Sequence, residues 1–297
     1  MNKPNFTMLV GLPGSGKSFK AKELSQEHNA TIFSSDALRE EMFGDVNHQA
    51  DNTTLFNELH KRIKDCLKDG NNAIYDATNI DYKKRMAFLS ELKNIPCEKI
   101  CVLMATPYEE CLKRNTERER KVPEQVIKRM YMNFTIPWWY EGWDDIQIEY
   151  GSYYKCYGDP MSFYEAHKDY NQHNSHHDLT LGEHCYQASL NVGNDMRLIY
   201  AGLVHDCAKP FCATYINKNN VITKDCHYYN HHNCSGYNAL FYDYGTINPL
   251  EVAILCFWHM QPYFNKEEKT KEKYKKLWGE ELYNDIMLLH EADKLAH

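Results

Sequence analysis

The first half of the chain alternates short apolar runs with longer amphipathic stretches. Strand-like FTMLVGL, TIFSSD, NAIYDAT, EKICVLMA and DIQIEY are separated by segments of helical period and charge. This is the βαβ rhythm of a parallel sheet covered on both faces. From Phe134 to about Asn174 the rhythm fails, and aromatic, Pro and Gly residues dominate IPWWYEGW and YGSYYKCYGDPMSFY. So much aromatic content predicts a packed connection instead of a floppy one. Beyond it, LTLGEHCYQASLNV, MRLIYAGLVHDCAK, NCSGYNALFYDY, PLEVAILCFWHM and the run ending in LYNDIMLLHEADKLAH carry helical period. The pattern predicts an α/β domain with a parallel sheet over residues 1–150, a connecting segment over 151–174 and an all-α domain over 175–297. There is no internal repeat or low-complexity tract, and the Lys/Glu run at 266–276 reads as a solvated helix face.

With 297 residues, two domains of ordinary size can each build a core. No stretch of about 18 apolar residues occurs, and the opening MNKPNFTMLVGLPG runs straight into a strand and a Gly-rich turn. The expectation is a cytoplasmic protein with no membrane partner. Eleven cysteines without a CxxC pair fit reduced thiols better than a disulfide or zinc framework. The net charge of -7 offers no basic surface for long-range attraction to duplex nucleic acid, so any such substrate must be gripped locally. Only three of the fifteen histidines precede residue 160, which predicts different chemistry in the two halves.

Gly11-Leu12-Pro13-Gly14-Ser15-Gly16-Lys17-Ser18 fits GxxxxGK[ST] and lies between an apolar strand and a helical segment, the context of a P-loop. Gly14, Ser15 and Gly16 let backbone N–H groups turn toward a nucleotide phosphate, Lys17 reaches the outer phosphates of ATP, and Ser18 can ligate Mg²⁺. The second strand ends at Ser34-Ser35-Asp36 with Arg39 one helical turn on. Strand C-termini hold the substrates of such sheets, so Asp36 can act as general base and Arg39 can bind an anionic acceptor. The alternative for Asp36 is a plain helix N-cap. Asp76 in the third strand's Asp76-Ala77-Thr78-Asn79 either contacts a Mg²⁺-bound water or only caps the next helix. Residues 113–129 carry a local net charge of +4 in an acidic chain, as expected of a lid that brings an arginine over the transferring phosphoryl group.

The set GLPGSGKS, SSDALRE, YDATN and KRNTERERKVPEQVIKRMY resembles the 5'-hydroxyl polynucleotide kinase family of phage and bacterial nucleic-acid repair, over about residues 5–150. The resemblance implies a P-loop kinase domain in which Lys17 and Ser18 serve phosphate and magnesium. It further implies Asp36 as general base, Arg39 as a contact to the acceptor phosphate and Arg118 as the lid arginine. P-loop kinases acting on small metabolites share most of these motifs.

In the second half, His184, the doublet His205-Asp206 and Asp293 lie in three separate predicted helices, in LGEHC, LVHDCAKP and HEADKLAH. This H…HD…D arrangement resembles the HD phosphohydrolase superfamily. Such a mixed N/O ligand set suits Mn²⁺, Fe²⁺, Ni²⁺, Co²⁺ or Mg²⁺, and the lack of a cysteine at ligand spacing disfavours zinc. By the same resemblance, His231 in NHHNCSG and His259 in CFWHM match positions that hold a second metal in some members, with Asp206 as bridge. Lys209, one turn after the doublet, could bind the phosphate. His232 is an alternative to His231, while His176-His177 either line the pocket or are polar linker residues.

Together the two halves resemble end-healing enzymes that pair an HD phosphohydrolase with a polynucleotide kinase. The expected function is ATP-dependent 5'-hydroxyl kinase plus metal-dependent 2'/3'-phosphatase or cyclic phosphodiesterase. The expected partners are nucleic-acid ends, RNA favoured over DNA. Two alternatives stay open: a nucleoside or small-metabolite kinase fused to a nucleotide phosphohydrolase, or an ATP-sensing P-loop domain that regulates the HD site. The oligomeric state is not legible.

Overall fold

The structure, a computed structural model, describes residues 3–48, 51–175, 178–264 and 267–296; His176 and His177 lie outside the described residues. The chain divides into two compact units, one formed by Met1–Ile127 and Pro137–Gly151, the other by Lys128–Ile136 and Ser152–His297.

The first unit is built on five strands, β1 Asn5–Val10, β2 Thr31–Ser34, β3 Ala73–Asp76, β4 Glu98–Met104 and β5 Asp145–Glu149, each on one of the apolar runs of the sequence, with β1 starting one residue earlier than its run. They form one sheet in the order β2-β3-β1-β4-β5, and every pairing is parallel. Helices α1 Lys17–His28, α2 Ser35–Phe43, α3 Asn52–Lys68, α4 Tyr82–Glu91 and α5 Tyr108–Glu117 connect the strands, and α6 Glu124–Met132 follows α5. Central β1 is buried from Phe6 onward. Leu9, Ile74 and Val102 from three adjacent strands pack with Ala21 and Leu24 of α1. The register sets Asp76 level with both Leu9 and Ser34. The loop after β1, the start of α2 and the end of β3 therefore emerge together at the C-terminal edge, where the strand order reverses about β1.

A buried ion pair braces this edge. Arg85 of α4 donates to Glu141 through Nε at 2.8 Å and Nη2 at 2.6 Å, with both side chains fully buried. The remaining nitrogen, Nη1, donates to the carbonyl of Asn79 at 3.0 Å, and Trp143 Nε1 donates to Glu141 at 2.9 Å. Burial pushes the Glu141 carboxyl upward, and Arg85 opposes that rise. IPWWYEGW is thus a clamp that fixes the turn after β3.

The second unit holds α7 Met161–His167, α8 Leu181–Asn191, α9 Met196–Val204, α10 Lys209–Cys212, α11 His231–Ala239, α12 Pro249–Trp258, α13 Gln261–Phe264, α14 Glu268–Trp278 and α15 Glu280–Leu295. Helix α8 packs on α9 and α15, and α11 packs on α12. The approach of α8 and α9 demands Gly202, because a Cβ there would stand 2.6 Å from Ser189 Cα. The unit is helical but not all-α: β6 Ala213–Ile216 and β7 Ile222–Tyr228 form an antiparallel hairpin. The β-branched and aromatic residues of ATYI and ITKDCHY favour that pairing across an Asn-rich turn.

Two boundaries also differ from the pattern-based expectation. The segment 151–174 carries α7 packed against α8 and, from Ser152, is part of the second unit. The last residues of α6 belong there too. Tyr131 Oη donates to Asn238 Oδ1 at 2.6 Å, and Asn233 Nδ2 donates to the Met132 carbonyl at 2.8 Å. Apolar side chains such as Tyr131 and Phe134 follow the core they can enter, whatever the rhythm of the strands around them.

Breaking a buried ion pair on one side leaves an uncompensated charge. Glu141→Gln is expected to destabilise the first unit by about 3–5 kcal/mol, read as an earlier first transition in urea unfolding.

Candidate phosphate loop and histidine cluster

The loop after β1 is shaped by two left-handed glycines, Gly14 (φ +87°) and Gly16 (φ +94°). A Cβ at Gly14 would lie 2.4 Å from the carbonyl oxygen of Cys111, so the loop seats directly on the α5 backbone. Lys17 opens α1 and is buried, with Nζ donating to the carbonyls of Gly11 at 3.1 Å and Leu12 at 2.8 Å. Burial lowers its pKa to about 8, with Asp76 pulling the other way. Ser18 Oγ donates to Asp76 Oδ2 at 2.9 Å. Burial raises the Asp76 carboxyl, which Ser18 and Lys17 counter. Asp76 therefore faces the P-loop hydroxyl. The cap of the following helix α4 is instead the side chain of Asp81, which accepts from Lys83 N. Asn79, with φ +48°, donates to the Leu9 carbonyl at 2.9 Å and ties the end of β3 to β1. Ser15 Oγ is buried without a hydrogen-bond partner.

Asp36 sits in the first turn of α2, but the capping side chain there is Ser34, which accepts from Ala37 N. The plain N-cap reading of Asp36 gives way to another arrangement, in which half-exposed Asp36 pairs with Arg120. Arg120 also donates to Asn47 Oδ1 at 3.3 Å and the Val46 carbonyl at 3.2 Å. Arg118 is exposed, and its charge acts on Lys17 and Asp76. Arg39 differs from the expectation of an open anion contact. It is buried, Nη1 donates to the His48 carbonyl, and Nε has no partner. Asn115 holds the loop between α5 and α6, donating to the Val122 carbonyl at 2.8 Å and accepting from Val122 N at 2.9 Å.

In the second unit, α8 delivers His184, the end of α9 His205 and Asp206, α11 His231, the end of α12 His259, and α15 Asp293; all are buried. Each imidazole donates Nδ1–H to a backbone carbonyl: His184 to Ala296 at 2.7 Å, His205 to Gly202 at 2.8 Å, His231 to Tyr228 at 2.7 Å and His259 to Cys256 at 2.6 Å. Because a carbonyl only accepts, these contacts place a proton on each Nδ1 and leave each Nε2 as the atom turned inward. All four point at Asp206. His184 and His205 approach Oδ2 at 3.4 Å each, and His231 and His259 approach Oδ1 at 3.0 and 3.5 Å. The Nε2 atoms stand 3.2 Å apart in the first pair and 3.3 Å in the second. Asp293 Oδ1 lies 3.0 Å from His184 and 3.5 Å from His205.

Imidazoles and carboxylates crowded this closely in a buried site need positive charge among them, from protons or from a cation. Burial opposes charge on Asp206 and Asp293, yet Lys209 with the imidazoles holds the first, and His184 with His205 the second, well below the usual carboxylate range. Against the same opposition from burial, Asp206 and Asp293 lift His184 to about 9. Such a site favours cations. Two donor groups, His184-His205-Asp206 and Asp206-His231-His259, each have all ligand atoms within 4.8 Å of one another. The imidazole nitrogens and hard oxygens are of a kind that could hold a divalent metal, and the donor group that draws on α11 contains His231, not His232.

Three side chains around the cluster were not legible as a set. Lys209 Nζ lies 2.6 Å from Asp206 Oδ2 and donates at 2.7 Å to Gln172 Oε1. Buried Gln172 comes from the stretch expected to be a connection. Tyr263 Oη donates to Asp293 Oδ2 at 2.9 Å, leaving Oδ1 to the histidines. In the first unit, Arg120 was one of seven basic residues at 113–129 and had no signal that distinguished it from Arg118.

Residues 6–137 match the family described as AAA domain, and the first unit has the α/β P-loop kinase fold. The L-seryl-tRNA(Sec) kinase of Methanococcus maripaludis is 30% identical over 149 residues, which is 48% of this chain and 58% of that protein. The chain thus spans little more than half the length of that curated relative. Among solved structures, one from the Pnkp1/Rnl/Hen1 RNA repair complex is similar at 23% identity and a TM-score of 0.39, over 45% of this chain and 44% of the other. A gluconokinase from Sinorhizobium meliloti is similar at 14% identity and a TM-score of 0.36, over 50% and 83%. Among the described residues, no helix is long and apolar enough to cross a membrane.

A polyphosphate brought to Lys17 favours its charged form. Near pH 8.5, above the lowered value of about 8, ATP binding is expected to take up a proton. Calorimetry in buffers of different ionisation enthalpy measures that uptake, which Lys17→Arg should abolish because arginine does not titrate there.

Proposed function

We propose that the chain is a bifunctional nucleic-acid end-healing enzyme, an ATP-dependent 5'-hydroxyl kinase joined to a metal-dependent 2'/3'-phosphatase. The observation that carries the two-site reading is the convergence of four Nδ1-anchored imidazoles on Asp206, in a chain whose other unit bears a P-loop. Phosphorus chemistry is what a nucleotide-phosphate loop and a buried His/Asp cluster have in common.

In the kinase step, the P-loop amides and Lys17 hold the β- and γ-phosphates of ATP, and Ser18 with Asp76 would hold Mg²⁺, which neutralises charge on the phosphates when bound. Asp36 takes the proton of the acceptor hydroxyl. The hydroxyl oxygen forms a bond to the γ-phosphorus as the bond to the β-γ bridging oxygen breaks, and ADP leaves. Arg120, held on Asp36 and on the 46–47 backbone, must exchange partners for the hydroxyl to reach the carboxylate; Arg118, on the same loop, is then free to face the transferring group. Buried Arg39 keeps the 45–48 turn against α2, so its role is to shape the acceptor side.

In the phosphatase step, His184, His205, Asp206 and Asp293 would hold one divalent cation and Asp206, His231 and His259 a second, drawn from Mn²⁺, Fe²⁺, Ni²⁺, Co²⁺ or Mg²⁺. When bound, they would supply an acidified water and charge stabilisation for the leaving oxygen. Lys209, anchored by Gln172, binds the phosphate of the ester, and the product is inorganic phosphate with a free ribose hydroxyl. Support for an acceptor on RNA comes from the kinase relative, whose name places its acceptor on a tRNA. The net charge of -7 favours the second reading, a small-metabolite kinase fused to a nucleotide phosphohydrolase.

Transfer of label from γ-labelled ATP to a 5'-hydroxyl oligoribonucleotide is the expected activity. Asp36→Asn should lower it about 10²–10⁴-fold, the usual worth of a general base; equal inertness of wild type and variant on RNA and DNA would sink the kinase assignment. Phosphate release from a 2'- or 3'-phosphorylated oligonucleotide should vanish after chelation and in His205→Ala, and return to wild type alone on adding Mn²⁺. Elemental analysis finding no divalent ion in protein that still releases phosphate would contradict the metal assignment.

A further inference from the structure

Next to the histidine cluster, α13, α14 and α15 line a cavity of about 500 Å³, a volume typical of small-molecule sites. Its walls include Tyr263, Tyr274, Trp278, Tyr283, His290 and Lys294, and among the described residues no acidic side chain lines it. The rings are set for flat partners. Tyr274 and Trp278 lie 4.5 Å apart at 40°, and Trp278 and Tyr283 lie 6.1 Å apart at 31°. Tyr263 meets His290 edge-on at 4.3 Å. Aromatic residues that served only as core would fill this space with one another.

The polar atoms are equally informative. His290 is 8% exposed and Trp278 1% exposed, yet His290 Nδ1 and Trp278 Nε1 have no hydrogen-bond partner. Buried donors and acceptors of this kind are ordinarily satisfied, so their appearance together beside a void points to a ligand with polar edges. One wall residue also reaches the cluster. Tyr263 lines it and donates its hydroxyl to Asp293, while His290 stands one helical turn before Asp293 on α15.

We infer that this cavity holds the nucleobase of the nucleotide whose phosphate is hydrolysed at the histidine cluster. The inference rests on the phosphohydrolase reading of the second unit and gives it a substrate class. A base offers π faces to Tyr274 and Tyr283 and ring-edge donors and acceptors to His290 and Trp278. Stacking is indifferent to base identity, so the site selects nucleotides over other phosphate esters without strong sequence preference. The nucleotide is either free or the last residue of an RNA chain.

Full-length protein supplied with Mn²⁺ is irradiated with 5-iodouridine 3'-monophosphate, and the adduct is mapped by mass spectrometry. The expected adduct lies within residues 268–295. Its half-saturating concentration should rise about tenfold in Tyr274→Ala and in Tyr283→Ala and return toward wild type in Tyr274→Phe, which keeps the ring. Both tyrosines are half-buried and away from Asp293, and a melting curve checks each variant's fold. An adduct found only elsewhere, or a half-saturating concentration that neither alanine variant changes, overturns the inference. Phosphate release from uridine 3'-monophosphate, followed in the same preparations, keeps the two readings apart. Release with the adduct elsewhere removes the base pocket and leaves the phosphatase. An adduct in the pocket with no release under any divalent metal removes the phosphatase and leaves a base-binding site. A short oligoribonucleotide ending in the same iodinated nucleotide assigns the source: tighter capture supports a chain end, and equal capture supports a free nucleotide.

Discussion

The second unit depends on one carboxylate. Asp206 is buried, its two oxygens are divided between two pairs of imidazole nitrogens, and a lysine stands against one of them. Buried this deeply, it keeps its charge because positive charge faces it, from Lys209 and from the raised imidazoles of His184 and His205. The packing of the unit follows from holding that geometry. Gly202 lets α8 and α9 come close enough to bring His184 beside His205, and backbone carbonyls at helix ends and at the end of β7 turn each Nε2 toward Asp206.

The first unit solves a related problem with backbone instead of side chains. Its phosphate loop is shaped by the left-handed conformations of Gly14 and Gly16, and buried Lys17 is held by loop carbonyls. Under the proposed function the two units prepare sites for phosphorus in opposite ways: positive ends of peptide dipoles in one, a carboxylate-imidazole cluster calling for cations in the other.

Much of this was legible because the relevant signals are local. GLPGSGKS declares its own turn, and five apolar runs at βαβ spacing mark all five strands of the sheet to within a residue. His205-Asp206 announces itself as a doublet, and His184 and Asp293 stand out as polar residues on apolar helices. What escaped reading is what depends on pairing across the chain. Ser34 outcompetes Asp36 as the cap because its short hydroxyl side chain reaches Ala37 N, leaving Asp36 to Arg120, and nothing in a run of seven basic residues marks which one will arrive. Gln172 sits in a stretch without periodicity, so its contact with Lys209 had no sequence signal. The hairpin Ala213–Ile216 with Ile222–Tyr228 is short and flanked by helices, which concealed its alternation.

The division of the chain is not a single cut. Residues 128–136 belong to the second unit, 137–151 return to the first, and 152 onward leave it again. The edge strand β5 and the Glu141 brace therefore emerge from the ribosome only after the first piece of the other unit has been made. Neither half is a cassette. A gene fragment ending at residue 127 lacks a strand and a clamp, and one beginning at 152 lacks the aromatic anchor of Tyr131 and Phe134, so evolution could exchange these modules only by recombining at three places at once.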